Sequence, residues 1–99
     1  MWRVVFTKQA VKDAKNLKAV GLEGKAKRLV EVVRIDPFGT PPAYEGLVGS
    51  LAGLYLRRIS IWHRFVYSVD ATPVNHGGTS CEGTVKVVRI WTHYEGMRG

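Results

Sequence analysis

Three arginines and a histidine lie within one short stretch of otherwise apolar and β-branched sequence, RRISIWHRFVYSV at residues 57–69. One earlier carboxylate, Glu45, and two later residues, His93 and Tyr94, add acid–base groups to this set. Cleavage of a phosphodiester by a ribose 2′-hydroxyl needs a base for the 2′-proton, an acid for the departing 5′-oxygen and cations beside the phosphorus. These side chains could supply all three. The alternative is that the arginines only solvate the surface of a sheet.

Alternation along the predicted strands decides which of these side chains share a face. Arg57 and Arg58 are consecutive, so they point to opposite sides of the sheet. The aromatic residues that alternate with Arg64 are expected to pack on helices, which places Arg64 on the open face. The sequence therefore predicts one concavity that collects these groups: Arg64, one of Arg57 and Arg58, the His93–Tyr94 end and Glu45.

Hydrophobic periodicity predicts the elements that would hold this site. Residues 2–7 are β-branched and aromatic, as in a first strand. Thr7 then caps a helix over residues 8–20, and Gly21 ends that helix. A second helix with a single apolar stripe follows and stops ahead of Pro37, because the residue before a proline is pushed out of the α region.

The second half of the chain predicts three further strands. Residues 54–60 and 64–70 form two consecutive strands, and residues 84–91 form a last strand that is apolar enough to lie centrally. Residues 36–53 are predicted as a loop, and residues 71–83 as a flexible connection without an element of its own.

The order β-α-α-β-β-β predicts an α+β fold in one domain over residues 1–99. The helices would form a hairpin on one face of a mostly antiparallel sheet and leave the other face free. If the last strand stays regular, Arg89, Trp91 and His93 share one of its faces.

Composition narrows the class of protein. The net charge is +7, and residues 1–35 alone hold nine basic and three acidic side chains, which suggests nucleic acid or an acidic protein as partner. Lys8, Lys12 and Lys15 form one polar helix face that is either simply solvated or binds phosphates.

The absence of a long apolar run and of a signal peptide, with a single cysteine, predicts a cytoplasmic protein. Three scattered histidines and one cysteine lack ligand spacing, so neither a metal nor a cofactor is predicted.

From about residue 3 to residue 94 the chain resembles the YoeB/Txe toxins of the RelE/ParE superfamily, the toxin halves of type II toxin–antitoxin pairs. The most specific stretch is LAGLYLRRISIWHRFVYSV at residues 51–69, which is similar to the family pattern L-x-G-x-x-x-R-R-I-x-x-x-H-R-x-V-Y-x-V without a gap. The second is the pair His93–Tyr94, and a weaker third is PPAYEGL, which contains Glu45.

The resemblance implies a RelE-like fold and a metal-independent mRNA interferase that cleaves mRNA in the ribosomal A site. Glu45 matches the family's general base and His93 its general acid. Arg64 matches the arginine that stabilises the phosphorane, and Tyr94 matches the residue that orients the substrate. Arg58 matches a second phosphate-binding arginine, a role that Arg57 could take if the strand were bulged.

The resemblance also implies partners: an acidic antitoxin of the YefM/Phd type, mRNA and the 70S ribosome, and a second copy in a possible homodimer. The lysine face of the first helix could then contact ribosomal RNA. His63 matches the family pattern too, and a structural hydrogen bond is predicted for it. Three features depart from the family: the tail EGMRG after Tyr94, Val48 in place of a basic residue, and the long connection at 71–83.

Two other classes of function stay open on the sequence. One is a ParE-like toxin that inhibits gyrase and cuts no RNA, although that branch generally lacks the terminal histidine–tyrosine pair. The other is a catalytically inactive module that binds RNA or an antitoxin.

Overall fold

A computed structural model describes residues 1–90 and the backbone of Trp91. The elements of this part of the chain are, in order, β1 (Arg3–Phe6), α1 (Lys8–Ala19), α2 (Glu23–Ile35), β2 (Tyr44–Gly46), a single 3-10 turn (Gly49–Leu51), β3 (Leu54–Arg58), β4 (Arg64–Asp70), β5 (Val74–His76), β6 (Thr79–Cys81) and β7 (Thr84–Trp91). No helix in the described residues is long and apolar enough to span a membrane.

Five of the strands form one twisted sheet in the order β1-β7-β4-β3-β2, and β5 and β6 form a separate hairpin. Among the described strands of the large sheet, only β1 and β7 run parallel, and the other neighbouring strands are antiparallel. The predicted α+β class is therefore confirmed. The last strand is interior, as predicted, because β7 lies between β1 and β4.

Both predictions of an element-free loop were wrong. Residues 36–53 contain β2, a three-residue edge strand whose residues are all exposed, so it lacks the apolar alternation that signals a strand. Residues 71–83 contain the β5–β6 hairpin. Its turn residues Gly77 and Gly78 both have positive φ, 58° and 79°, as the two-residue hairpin turn requires. The Gly-Gly pair was a usable signal for that turn.

Both helices begin and end where their local sequence predicts. The Thr7 hydroxyl accepts a hydrogen bond from the amide of Ala10 at 3.1 Å and caps α1. The same hydroxyl donates to the carbonyl of Val88, which ties the start of α1 to β7. After α1 the chain turns at Gly21, where φ is 75°. Helix α2 ends at Ile35, two residues before Pro37.

The main core lies between the two helices and one face of the sheet. Its helix side consists of the predicted apolar stripes, and its sheet side of alternate residues in β4 and β7; the fully buried members are Ala10, Val33, Phe65, Tyr67, Val85 and Val87. Burial of the apolar stripes of both helices stabilises the helical hairpin on the sheet.

The opposite face of the sheet is not free, contrary to the prediction. Leu47, Leu56 and Val66 are buried there as a second small cluster, and Leu51 and Leu54 pack against it. The chain that follows β2 thus folds back over part of this face. Periodicity did not reveal this cover because the segment has no regular element long enough to show one.

A register shift in β7 changes where Arg89 lies. Val66 is opposite Arg89 while its neighbour Tyr67 is opposite Val87, so β7 has one extra residue at this point. The Arg89 Nε donates to Asp13 Oδ2 at 2.8 Å, and the Ile90 amide donates to the same oxygen at 3.0 Å. Arg89 is thus directed to the buried Asp13 carboxylate of α1. From Arg89 to Trp91 the pairing with β4 is again regular, and the predicted face shared by Arg89, Trp91 and His93 extends beyond the described residues.

Gly83, at the start of β7, is a position where any side chain must overlap its neighbours. An alanine Cβ there would overlap the carbonyl oxygen of Asp70 and lie 2.6 Å from the Trp2 ring. We expect Gly83→Ala to lower the free energy of unfolding by about 2 kcal/mol in urea denaturation. The control is Gly24→Ala in α2, where the added Cβ meets nothing within 4 Å and should stabilise by about 0.5–1 kcal/mol. Equal effects of the two variants would contradict this packing.

Candidate functional site

The strand register brings three of the predicted site residues to one face of the sheet. Arg58 of β3 is directly opposite Arg64 of β4, and Glu45 of β2 is directly opposite Leu56, two residues before Arg58. Residues paired across strands share a face, as do residues two apart along a strand. Glu45, Arg58 and Arg64 therefore share one side of the sheet.

These three residues line one cleft of about 510 Å³, here called the Glu45 cleft. Its walls are formed by Pro42, Ala43, Tyr44, Glu45, Leu56, Arg58 and Arg64. Like charges directly opposite each other in a sheet are destabilising. Within the described residues, neither Arg58 nor Arg64 makes an ion pair that would relieve this repulsion. The arrangement therefore favours an anionic ligand between the two guanidinium groups.

Arg64 is oriented by the turn that precedes it. Its Nη1 donates to the carbonyl oxygens of Ser60, Ile61 and His63 at 2.9, 3.1 and 3.2 Å. In the described part of the chain, its Nε and Nη2 make no hydrogen bond, so they can still donate to a ligand. The turn therefore holds one edge of the guanidinium and leaves the other for the cleft.

His63 stabilises this turn. Its Nδ1 and the Ser60 hydroxyl share a hydrogen bond of 2.9 Å, and the same hydroxyl accepts from the amides of Trp62 and His63. The structural hydrogen bond predicted for His63 is thus present. Its contribution to the site is to shape the loop that fixes Arg64.

Arg57 lies on the other face and is completely buried. Its guanidinium donates to the carbonyl oxygens of Pro37 and Pro42 and to the hydroxyl of Tyr67. The alternative in which Arg57 takes the phosphate-binding role does not fit this structure, because β3 is regular here and these partners occupy the side chain. Arg57 instead connects β3 to the segment that leads into β2.

Aromatic rings surround the Arg57 guanidinium. Its central carbon lies 5.4 Å from the ring centroid of Tyr44 and 5.9 Å from that of Tyr67, within cation–π range. The Tyr67 hydroxyl donates to the Pro37 carbonyl at 2.7 Å. Burial raises the pKa of Tyr67, which keeps this hydroxyl protonated as a donor.

This cluster positions Glu45 and was missed from the sequence. Arg57 and Tyr67 together hold residues 37–42, which lead directly into β2. Alternation separated Arg57 from Arg58, but only the pairing of β3 with β4 puts Arg57 on the face of Phe65 and Tyr67. The carbonyl partners of Arg57 come from a loop that the sequence pattern could not place.

The remaining predicted residues lie outside the cleft or outside the described residues. His93 and Tyr94 belong to residues 92–99, which lie beyond the described part of the chain. In the strand pairing of β7 with β4, the last described residue, Trp91, is opposite Arg64, so the backbone of β7 ends beside the cleft. Lys8, Lys12 and Lys15 are exposed on α1, across the sheet from the cleft. Among the described residues no group of three or more His, Cys, Asp or Glu could hold a metal ion.

No protein-family model matches the chain. No curated protein matches it either. Solved structures do match. A YoeB/ParE toxin from Agrobacterium tumefaciens is 26% identical, with a TM-score of 0.74 over 93% of this chain and 99% of that one. A YoeB dimer from Staphylococcus aureus is 25% identical, with a TM-score of 0.72 over 94% and 98% of the two chains. A heterotetrameric YoeB–YefM toxin–antitoxin complex from the same organism is 25% identical, with a TM-score of 0.70 over 95% and 99%.

The agreement extends over nearly the whole of both chains in each comparison. It therefore includes the helical hairpin and the large sheet whose register forms the Glu45 cleft. The neighbours are toxins of toxin–antitoxin systems. The chain is therefore similar, in fold and in about a quarter of its residues, to YoeB-like toxins of the RelE/ParE superfamily.

Proposed function

We propose that the protein is a toxin that cleaves mRNA in the ribosomal A site. The observation that carries this proposal is the register of β2, β3 and β4, which puts Glu45, Arg58 and Arg64 in one cleft. A carboxylate facing two arginines without ion-pair partners among the described residues suits a substrate that carries both a proton to remove and a negative charge to stabilise.

The reaction is an attack of a ribose 2′-oxygen on the adjacent phosphorus. Glu45 takes the 2′-proton, and the new oxygen–phosphorus bond forms as the bond to the 5′-oxygen breaks. His93 gives a proton to the leaving 5′-oxygen, and Tyr94 orients the substrate. Arg58 and Arg64 stabilise the extra negative charge on the phosphorane. The products are a 2′,3′-cyclic phosphate and a 5′-hydroxyl, and no metal or cofactor takes part.

The dimensions of the Glu45 cleft suit this substrate. Neighbouring strands are about 4.8 Å apart, so β2 and β4 are separated by about 10 Å across the sheet, and Arg64 lies two residues along β4 from the position in line with Glu45. A ribose and its phosphate fit between side chains that reach inward from both walls. The cleft volume of about 510 Å³ also lies within the range usual for small-ligand sites.

The proposed partners rest on the net charge of the chain and on the structurally similar proteins. A net charge of +7 favours an acidic segment that folds along the basic surface, as expected of a YefM/Phd-type antitoxin. One structural neighbour is a YoeB–YefM complex and another is a YoeB dimer. We therefore include an antitoxin and a second copy of the chain among the partners, with mRNA and the 70S ribosome. Lys8, Lys12 and Lys15 would contact ribosomal RNA. The protein would act in the cytoplasm.

Primer extension on mRNA from translating ribosomes tests the reaction. We expect the antitoxin-free wild type to cut within the A-site codon, and Glu45→Gln to slow cleavage by about 10²–10⁴-fold because the base is removed. The matched control is Glu31→Gln, which removes the same charge from α2 at an exposed pair with Arg34. That variant should cleave like the wild type.

Two results would contradict the proposal. If the folded wild type cuts no mRNA, the next measurement is inhibition of gyrase, and activity there would indicate a ParE-like toxin. Binding of RNA without either activity would indicate an inactive module. If Glu45→Gln cleaves as fast as Glu31→Gln, the carboxylate is not the base.

A further inference from the structure

The basic side chains of α2 divide between two faces of the helix. Lys27 forms an ion pair with Glu23 at 3.0 Å, and Arg34 forms one with Glu31 at 3.3 Å. Lys25 and Arg28, on the other face, are exposed and make no ion pair within the described residues. Two unpaired cations one helical turn apart, with Cβ atoms about 5–6 Å from each other, can both reach one anion.

Lys25 and Arg28 line a groove of about 310 Å³ that shares two lining residues with the Glu45 cleft, here called the α2 groove. Its lining residues are Lys25, Arg28, Leu29, Val32, Pro42, Arg58 and Ile59. Pro42 and Arg58 also line the Glu45 cleft, so the two depressions meet at the end of β3. Both sit against the segment that Arg57 holds through the Pro42 carbonyl.

The chemistry of the α2 groove is that of a phosphate site beside an apolar wall. Its three charged side chains are all cationic, and no carboxylate of the described residues lines it. Leu29, Val32 and Ile59 form an apolar floor beside these cations. A polyanion that occupies both depressions would pass Arg58, which contributes to each.

We propose that the α2 groove binds the nucleotide next to the scissile one, with Lys25 and Arg28 as ligands of its phosphate. The proposal rests on the proposed function for the identity of the strand in the Glu45 cleft. RNA is favoured over an acidic peptide because Arg58 lines both the groove and the cleft in which the phosphodiester would be cut. Phosphate contacts of this kind set the register of the strand and carry no base preference.

Salt-dependent binding of a single-stranded 2′-O-methyl RNA of roughly 10 nucleotides tests this site, because the methylated 2′-oxygen cannot attack. We expect Lys25→Ala/Arg28→Ala to lower the slope of log K against log salt by about 0.7 for each phosphate that is no longer neutralised, or about 1.4 if each side chain neutralises one. The matched control is Lys18→Ala/Lys27→Ala, which removes the same charge from exposed positions outside both depressions. Its slope should equal that of the wild type.

The outcomes separate this inference from the proposed function. An equal slope change in the control variant would mean that only net charge matters, which would overturn the site. An unchanged slope in Lys25→Ala/Arg28→Ala would also overturn the site. If that variant then bound an Asp/Glu-rich peptide more weakly than the wild type, the groove would be assigned to an acidic partner. A selective slope change without any mRNA cleavage on ribosomes would refute the enzymatic activity and still support the phosphate site.

Discussion

Replacing Arg64 by alanine is expected to slow mRNA cleavage on the ribosome by about 10³-fold. Its guanidinium lies at one wall of the Glu45 cleft, where the proposed reaction develops negative charge on the phosphorane, and removal of one such preorganised donor typically costs about 10²–10³ in rate. The direct opposition of Arg58 adds to the effect, because two guanidinium groups can hold one phosphoryl group from two sides. Primer extension at saturating ribosome concentration measures the decrease in rate.

Arg64→Lys separates charge from geometry. Lysine keeps the positive charge but lacks the fork that donates to the turn carbonyls with one edge and to the ligand with the other. We expect activity between that of the wild type and that of Arg64→Ala. The control Lys27→Ala removes a charge remote from the cleft and should leave the rate unchanged. Cleavage by a folded Arg64→Ala at more than about a tenth of the wild-type rate would exclude Arg64 from transition-state stabilisation.

Replacing Arg57 by methionine is expected to lower the free energy of unfolding by about 3 kcal/mol. Methionine fills part of the volume but donates nothing to the Pro42 carbonyl or to the Tyr67 hydroxyl, and a buried polar group left without a partner costs about 1–3 kcal/mol. The cation–π attraction to Tyr44 and Tyr67 disappears as well. The shift of the urea midpoint at constant m-value measures this destabilisation.

Arg58→Ala is the matched control for Arg57→Met, because the two arginines are adjacent in the chain and lie on opposite faces of β3. Arg58 is exposed and makes no hydrogen bond or ion pair within the described residues, so its removal should change stability by less than about 0.5 kcal/mol. Its expected effect is on cleavage instead. If Arg57→Met were as stable as Arg58→Ala, the buried cluster around residues 37–42 would not hold β2 in place.

These neighbouring arginines show how strand alternation assigns opposite roles to identical residues. Arg58 faces the cleft, where it can meet the substrate, and Arg57 faces the core, where it supports the wall that carries Glu45. Pairing on both sides of β3 fixes this difference, since a slip of one residue would exchange the two.

Local patterns in the sequence determined the helices, the long strands and the α+β class of this protein. The Thr7 cap, the turn at Gly21 and the stop ahead of Pro37 act within a few residues, so they can be recognised without knowledge of the fold. The same holds for the apolar periods of both helices and of β7. Alternation also separated Arg57 from Arg58, and the residue types put Glu45 in the candidate site before the family resemblance gave it a role.

Only the tertiary structure decided which arginine is buried, where Glu45 lies and how the open face is partly covered. Each depends on contacts between residues far apart in sequence: Arg57 with the Pro37 carbonyl, β2 with β3, and Leu47 with Val66. The register shift that directs Arg89 to Asp13 depends likewise on the pairing of β4 with β7. Such contacts form because the folded chain must pair its buried polar groups and cover its apolar ones. No local pattern of residue types specifies which distant group becomes the partner.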